Sequence, residues 1–207
     1  MPTPEPAPLS AAAFQEAANV SRETLAKLST YLALLEKWQP RINLVGSATL
    51  KDPWRRHFLD SAQLVPLLPE STQTLVDLGS GAGFPGLVLA ILGVPDVHLI
   101  ESDQRKIAFL REVAAATGTK ITAHPARIEA IQPFPADVVT ARALAPLASL
   151  IGYALPFLGP RGQCLFLKGG GVEREIAENQ RLITVDRIPS RSDPSGVVLR
   201  LSGISPI

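Results

Sequence analysis

The residues of this chain best suited to chemistry form one run, Asp77-Leu78-Gly79-Ser80-Gly81-Ala82-Gly83-Phe84-Pro85-Gly86. Glycine adopts positive φ at no steric cost and lets a backbone approach a ligand closely. The apolar stretch Thr74 to Leu78 before the run reads as a strand, and Pro85 to Leu92 after it as a helix with a proline in its first turn. A loop in that context aims the unpaired N–H groups of a helix start at electronegative ligand atoms. A bare strand-to-helix turn would not require four glycines in eight residues, Gly79, Gly81, Gly83 and Gly86.

Two ligands fit the spacing. Gly81-Ala82-Gly83-Phe84-Pro85-Gly86 matches the G-x-G-x-x-G pattern of dinucleotide binders. Asp77-x-Gly79-x-Gly81-x-Gly83 matches the acidic, alternate-glycine loop of class I methyltransferases. The acid favours the second. A carboxylate at the strand end can hold a cationic amino-acid moiety, directly or through water, and would repel a pyrophosphate. S-adenosylmethionine carries a sulfonium and an ammonium and no phosphate, so Asp77, Gly79 and Gly81 are expected at its site, with NAD as the alternative ligand.

Glu101 fits a nucleoside in either case. It ends a second strand, Val97 to Ile100, 22 residues after Gly79, and an acid there can accept both ribose hydroxyls. Its alternative is a solvated strand-end carboxylate. Arg127-Ile128-Glu129 follows a third strand at the edge that normally flanks an adenine, or else simply starts a helix facing water.

These residues need a frame. Strands are expected at Lys120 to Ala123, Ala136 to Thr140, Gln163 to Leu167, Ile183 to Ile188 and Gly196 to Leu201, in addition to the first two. Helices are expected at Arg105 to Ala116, Pro146 to Phe157 and about Val172 to Leu182. Alternation of this kind predicts an α/β fold: a mostly parallel seven-stranded, Rossmann-like sheet with helices on both faces. Ligands bind such sheets at the carboxyl ends of the strands, where the glycine loop lies. Before the sheet, residues 11–70 read as a helical segment. Ser21 is a plausible N-cap, and Leu25, Leu28, Leu32 and Leu35 make one apolar stripe. Pro40 ends that helix, Arg41 to His57 reads as a polar, basic stretch, and a short helix is expected from about Phe58 to Leu67. Residues 1–10, with proline at every second position early on, read as a flexible tail. The whole, 1–207, reads as one domain with its S-adenosylmethionine-binding core at 71–207.

Composition sets limits. The single cysteine, Cys164, rules out an intramolecular disulfide, and histidines at 57, 98 and 124 give no zinc-ligand spacing. No apolar run approaches the roughly 18–20 residues a bilayer span needs. No metal, no membrane association and a cytoplasmic location are therefore expected. The net charge is +1, so any case for nucleic acid must rest on local patches.

Beyond the loop, Trp38 to Val45 (Trp-Gln-Pro-Arg-Ile-Asn-Leu-Val), Arg56 to Ser61 (Arg-His-Phe-Leu-Asp-Ser), Ser102 to Leu110, Thr140-Ala141-Arg142-Ala143 and Leu167-Lys168-Gly169 complete a pattern. With Asp77 to Gly86 it resembles the bacterial 16S ribosomal RNA guanine-N7 methyltransferases, the RsmG or GidB family, over about residues 20–185. The resemblance implies methylation of guanine N7 in the decoding-region hairpin of small-subunit rRNA, at the nucleotide conventionally numbered 527. It implies S-adenosyl-L-methionine as donor and S-adenosyl-L-homocysteine as product, and small-subunit rRNA or the 30S particle as partner; the chain itself is expected to be a monomer. It places donor-site positions on Gly79, Phe84, Ile128, Glu129 and Arg142. The chain departs from the family's basic C-terminal segment: Ser195-Gly196-Val197-Val198-Leu199-Arg200 leads into a neutral tail. A methyltransferase of a small molecule or protein, or a NAD- or nucleotide-binding module, are the competing functions.

Guanine N7 carries an in-plane lone pair and no proton. Attack on a methyl group then needs no general base, and alignment alone can supply catalysis. No catalytic acid–base residue is nominated; Arg142 is the foremost positioning candidate. The stretch Thr140-Ala141-Arg142-Ala143 stands where amino-group methyltransferases carry an Asn-Pro-Pro-Tyr-type loop. RNA-contact candidates are Arg105, Lys106, Arg127, Arg142 and Lys168 near the expected pocket mouth, and Arg56 and His57 from the basic N-terminal stretch that also holds Arg41, Lys51 and Arg55. His57 fits RNA contact and interior packing equally well.

Overall fold

The computed structural model of the chain describes residues 7–179 and 184–203. Its seven strands are β1 (Thr74–Leu78), β2 (Asp96–Ile100), β3 (Thr122–His124), β4 (Ala136–Arg142), β5 (Leu158–Lys168), β6 (Thr184–Pro189) and β7 (Val197–Ser202). They form one sheet in the order β3-β2-β1-β4-β5-β7-β6. All neighbours from β3 through β5 pair parallel, and β7 runs antiparallel to both β5 and β6. The order reverses between β1 and β4, which puts the switch point beside the glycine loop.

Alternation along the strands divides the core in two. Leu75, Val97, Leu99, Val138, Leu165, Leu167 and Val198 face one apolar layer; Val76, Leu78, Ile100, Val139, Ala141, Cys164, Phe166 and Leu199 face the other. The first layer is covered by α4 (Gly86–Ile91), α5 (Gln104–Thr117) and the N-terminal helices α1 (Ala11–Ala18) and α2 (Arg22–Trp38); the second by α6 (Leu147–Ala154) and α7 (Val172–Asn179). Asp77, Thr140 and Arg142 share the parity of the first layer, and on that side Arg142 meets the N-terminal segment.

Ser21 caps α2 by accepting a hydrogen bond from the Thr24 N–H at 3.1 Å. The buried stripe of α2 is Leu28, Tyr31 and Leu35; Leu25 and Leu32, expected on it, are only partly buried. The stripe rotates because Tyr31 reaches the glycine loop, where its hydroxyl donates to the Ala82 carbonyl. Burial also pushes the Tyr31 hydroxyl well above its usual pKa.

The stretch read as polar and basic is partly helical. A 3₁₀ turn, Ser47–Lys51, precedes a π-helical turn, Trp54–Leu59, which runs into α3 (Asp60–Ala62) and a 3₁₀ turn at Val65–Leu67. The expected helix Phe58 to Leu67 thus begins four residues early and changes pitch. Asp52-Pro53 explains the start: the Asp52 carboxylate accepts from the Arg55 backbone and from its Nε at 2.7 Å, and proline suits a first turn. The same carboxylate accepts from the Leu9 N–H at 2.8 Å, and Arg55 Nη2 donates to the Ala7 carbonyl. Residues 7–10, expected within the flexible tail, are held at these points, and 1–6 lie outside the described residues.

The fifth strand is longer than expected, beginning at Leu158. The helix expected over Val172 to Leu182 is described to Asn179, and the strand expected from Ile183 from Thr184. Arg200, in the segment that departs from the family pattern, pairs across strands with Asp186 at 2.7 Å. Among the described residues no helix is long and apolar enough to cross a membrane, and no group of three or more His, Cys, Asp or Glu side chains could hold a metal ion.

Candidate active site

A cleft of about 750 Å³ opens at the carboxyl ends of the strands. Its walls include Gly79, Gly81, Phe84, Glu101, Ile128, Glu129 and Arg142, seven of the eight residues expected at the donor site. It also reaches Arg56, His57, Lys106, Arg127 and Lys168 of the expected RNA contacts.

The eighth residue, Asp77, lies beneath the loop and not on the cleft wall. It has no exposure; Oδ1 accepts from the Thr140 hydroxyl at 2.7 Å and Oδ2 from the Gly86 N–H at 3.3 Å. Burial pushes its carboxyl up to about 6, against the opposing hydrogen bonds from Thr140, Ser80 and Gly86. Of the two ways Asp77 was expected to hold the amino-acid moiety, directly or through water, its position beneath the loop does not favour the direct one: both oxygens tie the loop, to β4 and to the start of α4. Gly86 makes this possible, since a Cβ there would fall 2.6 Å from that of Asp77 and 2.5 Å from Leu99 Cδ2.

Above it, Gly79 and Gly81 take φ of 61° and 58°. Glu101, only 9% exposed, accepts from the Gly81 N–H at 3.0 Å through Oε2 and from the Asp103 N–H at 2.8 Å through Oε1. Its carboxylate is therefore held rigidly on the wall with acceptor sites left over, as a diol ligand requires. A Cβ on Gly81 would meet nothing closer than the Gly79 carbonyl at 3.8 Å, so the backbone here fronts open space. Ile128 supplies an apolar contact and Glu129 an acceptor on the next wall, from the 3₁₀ turn Ile128–Ala130. A nucleoside bearing an amino-acid tail fits this set: a diol acceptor, an apolar flank and a loop backbone that fronts open space.

Phe84 connects the two ends of the cleft. Tyr31 stacks on it at 5.1 Å between centroids, His57 at 4.9 Å, and the Arg142 guanidinium carbon lies 4.9 Å from its centroid. Arg142 Nη1 reaches the Arg56 carbonyl at 3.1 Å, His57 Nδ1 at 3.1 Å and Asp60 Oδ2 at 3.3 Å. A guanidinium only donates, so His57 Nδ1 accepts and the proton sits on Nε2. That nitrogen then donates to Thr49 Oγ1 at 2.8 Å, and Thr49 to the Gly46 carbonyl at 2.6 Å. Burial, with Arg142 and Arg56 alongside, lowers His57 to about 3, so it is neutral. Of the two readings of His57, interior packing is the one the structure supports; it is 4% exposed.

The remaining cations differ in availability. Lys168 is mostly buried and donates to the Ala145 carbonyl at 3.2 Å and Glu175 at 2.9 Å. Arg56 pairs with Asp193 at 2.7 Å, bridging to the loop between β6 and β7. Arg105 pairs with Asp103 at 3.1 Å and does not line the cleft, though it remains exposed. Lys106 and Arg127 stand on the cleft wall. Sequence reasoning passed over Tyr31, Thr49, Asp60, Thr140 and the loop holding Ser192 and Asp193. Asp60 stood inside the quoted Arg-His-Phe-Leu-Asp-Ser run, but nothing in its spacing showed that it would face β4.

The sheet order, the glycine loop and the strand-end carboxylate together define a class I S-adenosylmethionine-dependent methyltransferase. The fold agrees with a TehB-like SAM-dependent methyltransferase from Corynebacterium glutamicum, at a TM-score of 0.56 and 13% identity over 84% of this chain and 98% of that one. An rRNA methylase from Streptococcus thermophilus gives 0.52 and 15%, covering 72% and 93%. A family model described as rRNA small subunit methyltransferase G (GidB) matches residues 24–196, and the chain belongs to that family. Proteins named ribosomal RNA small subunit methyltransferase G are 60% identical in Rhodospirillum rubrum, over 93% of this chain and 96% of that protein, and in Rhodospirillum centenum, over 93% and 90%.

Proposed function

We propose that the protein transfers a methyl group from S-adenosyl-L-methionine to N7 of a guanine in small-subunit rRNA, at position 527 by family resemblance. The donor contributes an electrophilic methyl on a sulfonium; the chain contributes alignment. Glu101 would accept from the ribose hydroxyls, the open backbone at Gly81, with Gly79 beside it on the cleft wall, would leave room for the amino-acid tail, Ile128 and Glu129 would flank the adenine, and Phe84 and Arg142 would close the methyl-bearing end.

One observation carries the choice of acceptor. The group standing at the end of β4 is Arg142, a permanently charged donor, and the His57 lone pair beside it is committed to Arg142. A proton-bearing nucleophile such as an exocyclic amine would need a free acceptor there. N7 has no proton to lose and does not. Arg56, Lys106 and Arg127 are the cations best placed to meet phosphates around the cleft, with Arg105 further out and Lys168 supporting from below. We take the protein to act as a cytoplasmic monomer on free rRNA or the 30S particle.

Reverse-transcription mapping after borohydride reduction and aniline cleavage, which break the strand at N7-methylguanine, of rRNA from cells with and without the protein tests the acceptor: a stop lost at one guanine supports the reading, and an unchanged map defeats it. Thermal shift with S-adenosylmethionine, S-adenosylhomocysteine and NAD tests the donor, since a ligand of the native state raises Tm.

A further inference from the structure

Arg142 is held by one nitrogen. All three of its protein acceptors, the Arg56 carbonyl, His57 Nδ1 and Asp60 Oδ2, lie on Nη1. Among the described residues no buried side-chain nitrogen or oxygen lacks a partner, and Nε and Nη2 of Arg142 have none, so they open on the cleft. One edge of the fork is therefore anchored and the other presented. The anchor comes from the π-helical turn Trp54–Leu59. There the Asp60 N–H bonds to the Arg55 and His57 carbonyls, five and three residues back, and not to that of Arg56, which Arg142 reaches instead.

We infer that Asp60 and His57 are positioning residues that hold the Nη1 edge of Arg142 so that its Nη2 edge faces the reacting groups. The inference rests on the methyl-transfer reading above and adds to it that the N-terminal segment sets the geometry at the end of β4. Asp60 supplies the charge that keeps the guanidinium from swinging out to water. His57 supplies a neutral acceptor, whose tautomer is fixed by Thr49, and stacks with Phe84, over which the guanidinium carbon also lies. A flexible side chain pinned at one nitrogen loses rotamer freedom before the substrate arrives, which is how pre-organisation lowers a barrier.

The test is a double-mutant cycle. Asp60→Asn and His57→Gln should each slow single-turnover methylation of rRNA by about tenfold or more, with the dissociation constant for S-adenosylmethionine moving less than the rate. In an Arg142→Ala background the same changes should alter the rate by less than about twofold, because residues acting as one unit are not additive. Gln63→Ala is the stability control. It removes a 3.0 Å bond to Asp60 Oδ1 without touching Arg142, so it should lower Tm and spare the rate. NMR of the Arg142 guanidinium adds a readout that needs no substrate: rotation about its Nη bonds should be slow in the wild type and fast in Asp60→Asn. Additive rate losses, a Gln63→Ala protein as slow as Asp60→Asn, or unchanged guanidinium rotation would each overturn the inference. If the wild type methylates no rRNA, the proposed function falls, while the rotation measurement still decides whether Asp60 pins Arg142.

Discussion

The Asp77 carboxylate sits 2.7 Å from the Thr140 hydroxyl, wholly inside the protein, where the two residues face each other in the β1–β4 pairing. It holds the glycine loop from below while Glu101 holds it from the cleft side, through the Gly81 N–H. Two carboxylates thus brace one loop, one dry and one at the ligand surface.

Asp77 and His57 give stability opposite dependences on pH. The Asp77 carboxyl is raised from 3.8 to about 6, so the folded state binds its proton more tightly; that contribution is full below 3.8 and is lost as pH rises through about 6. His57 is lowered from 6.5 to about 3; its contribution is full above 6.5 and is lost as pH falls toward 3. The two offset each other between pH 4 and 6. Asp77→Asn should therefore expose a steeper loss of stability on acidification, and His57→Gln should reverse the slope. Chemical denaturation at a series of pH values reads both, and parallel curves for all three proteins would refute the assignments.

Gly81 and Gly86 should fail in different ways. Gly81→Val should remain folded and lose S-adenosylmethionine binding, because its Cβ would enter the cleft from a backbone at φ 58°. Gly86→Ala should lose about 1–3 kcal/mol of stability, since its Cβ has no room between Asp77 and Leu99. Calorimetric titration and thermal unfolding separate the two outcomes.

Glu101→Ala should weaken S-adenosylmethionine by ~1.5–3 kcal/mol, the usual worth of hydrogen bonds to a charged group. The RNA dissociation constant should hardly move. A variant that loses RNA affinity and keeps donor affinity would remove Glu101 from the ribose site.

Without a general base, single-turnover methylation at saturating RNA and donor should show no ascending limb between about pH 6 and 9. His57, neutral throughout that range, contributes none. Arg142→Ala should lower the rate at every pH and leave the profile's shape alone, and Arg142→Lys should recover part of the loss, a point charge replacing a fork. A bell that flattens when one Asp, Glu or His is removed would point to an amine or hydroxyl acceptor.

The local features of this protein were legible in its sequence. The glycine run, the strand that enters it, Glu101 at the next strand end, the Ser21 cap and the alternation of strands and helices depend on neighbours within a few residues, and spacing records such neighbours directly. Gly79, Gly81 and Glu101 line the cleft for that reason, and Phe84, Ile128, Glu129 and Arg142, placed at the donor site by the family resemblance, line it with them. What the sequence could not decide was which way a buried polar side chain turns. Asp77 looked like a ligand because an acid follows a strand there; its partner Thr140 lies 63 positions away, and only the pairing of β1 with β4 brings the hydroxyl to it. Arg142 is separated by 82 to 86 positions from the three groups that grip it, and His57 changes from a possible RNA contact to a buried neutral acceptor once the N-terminal segment covers that face of the sheet. Contacts at such separations are set by strand order and layer packing, to which each residue's own neighbourhood in the chain contributes almost nothing.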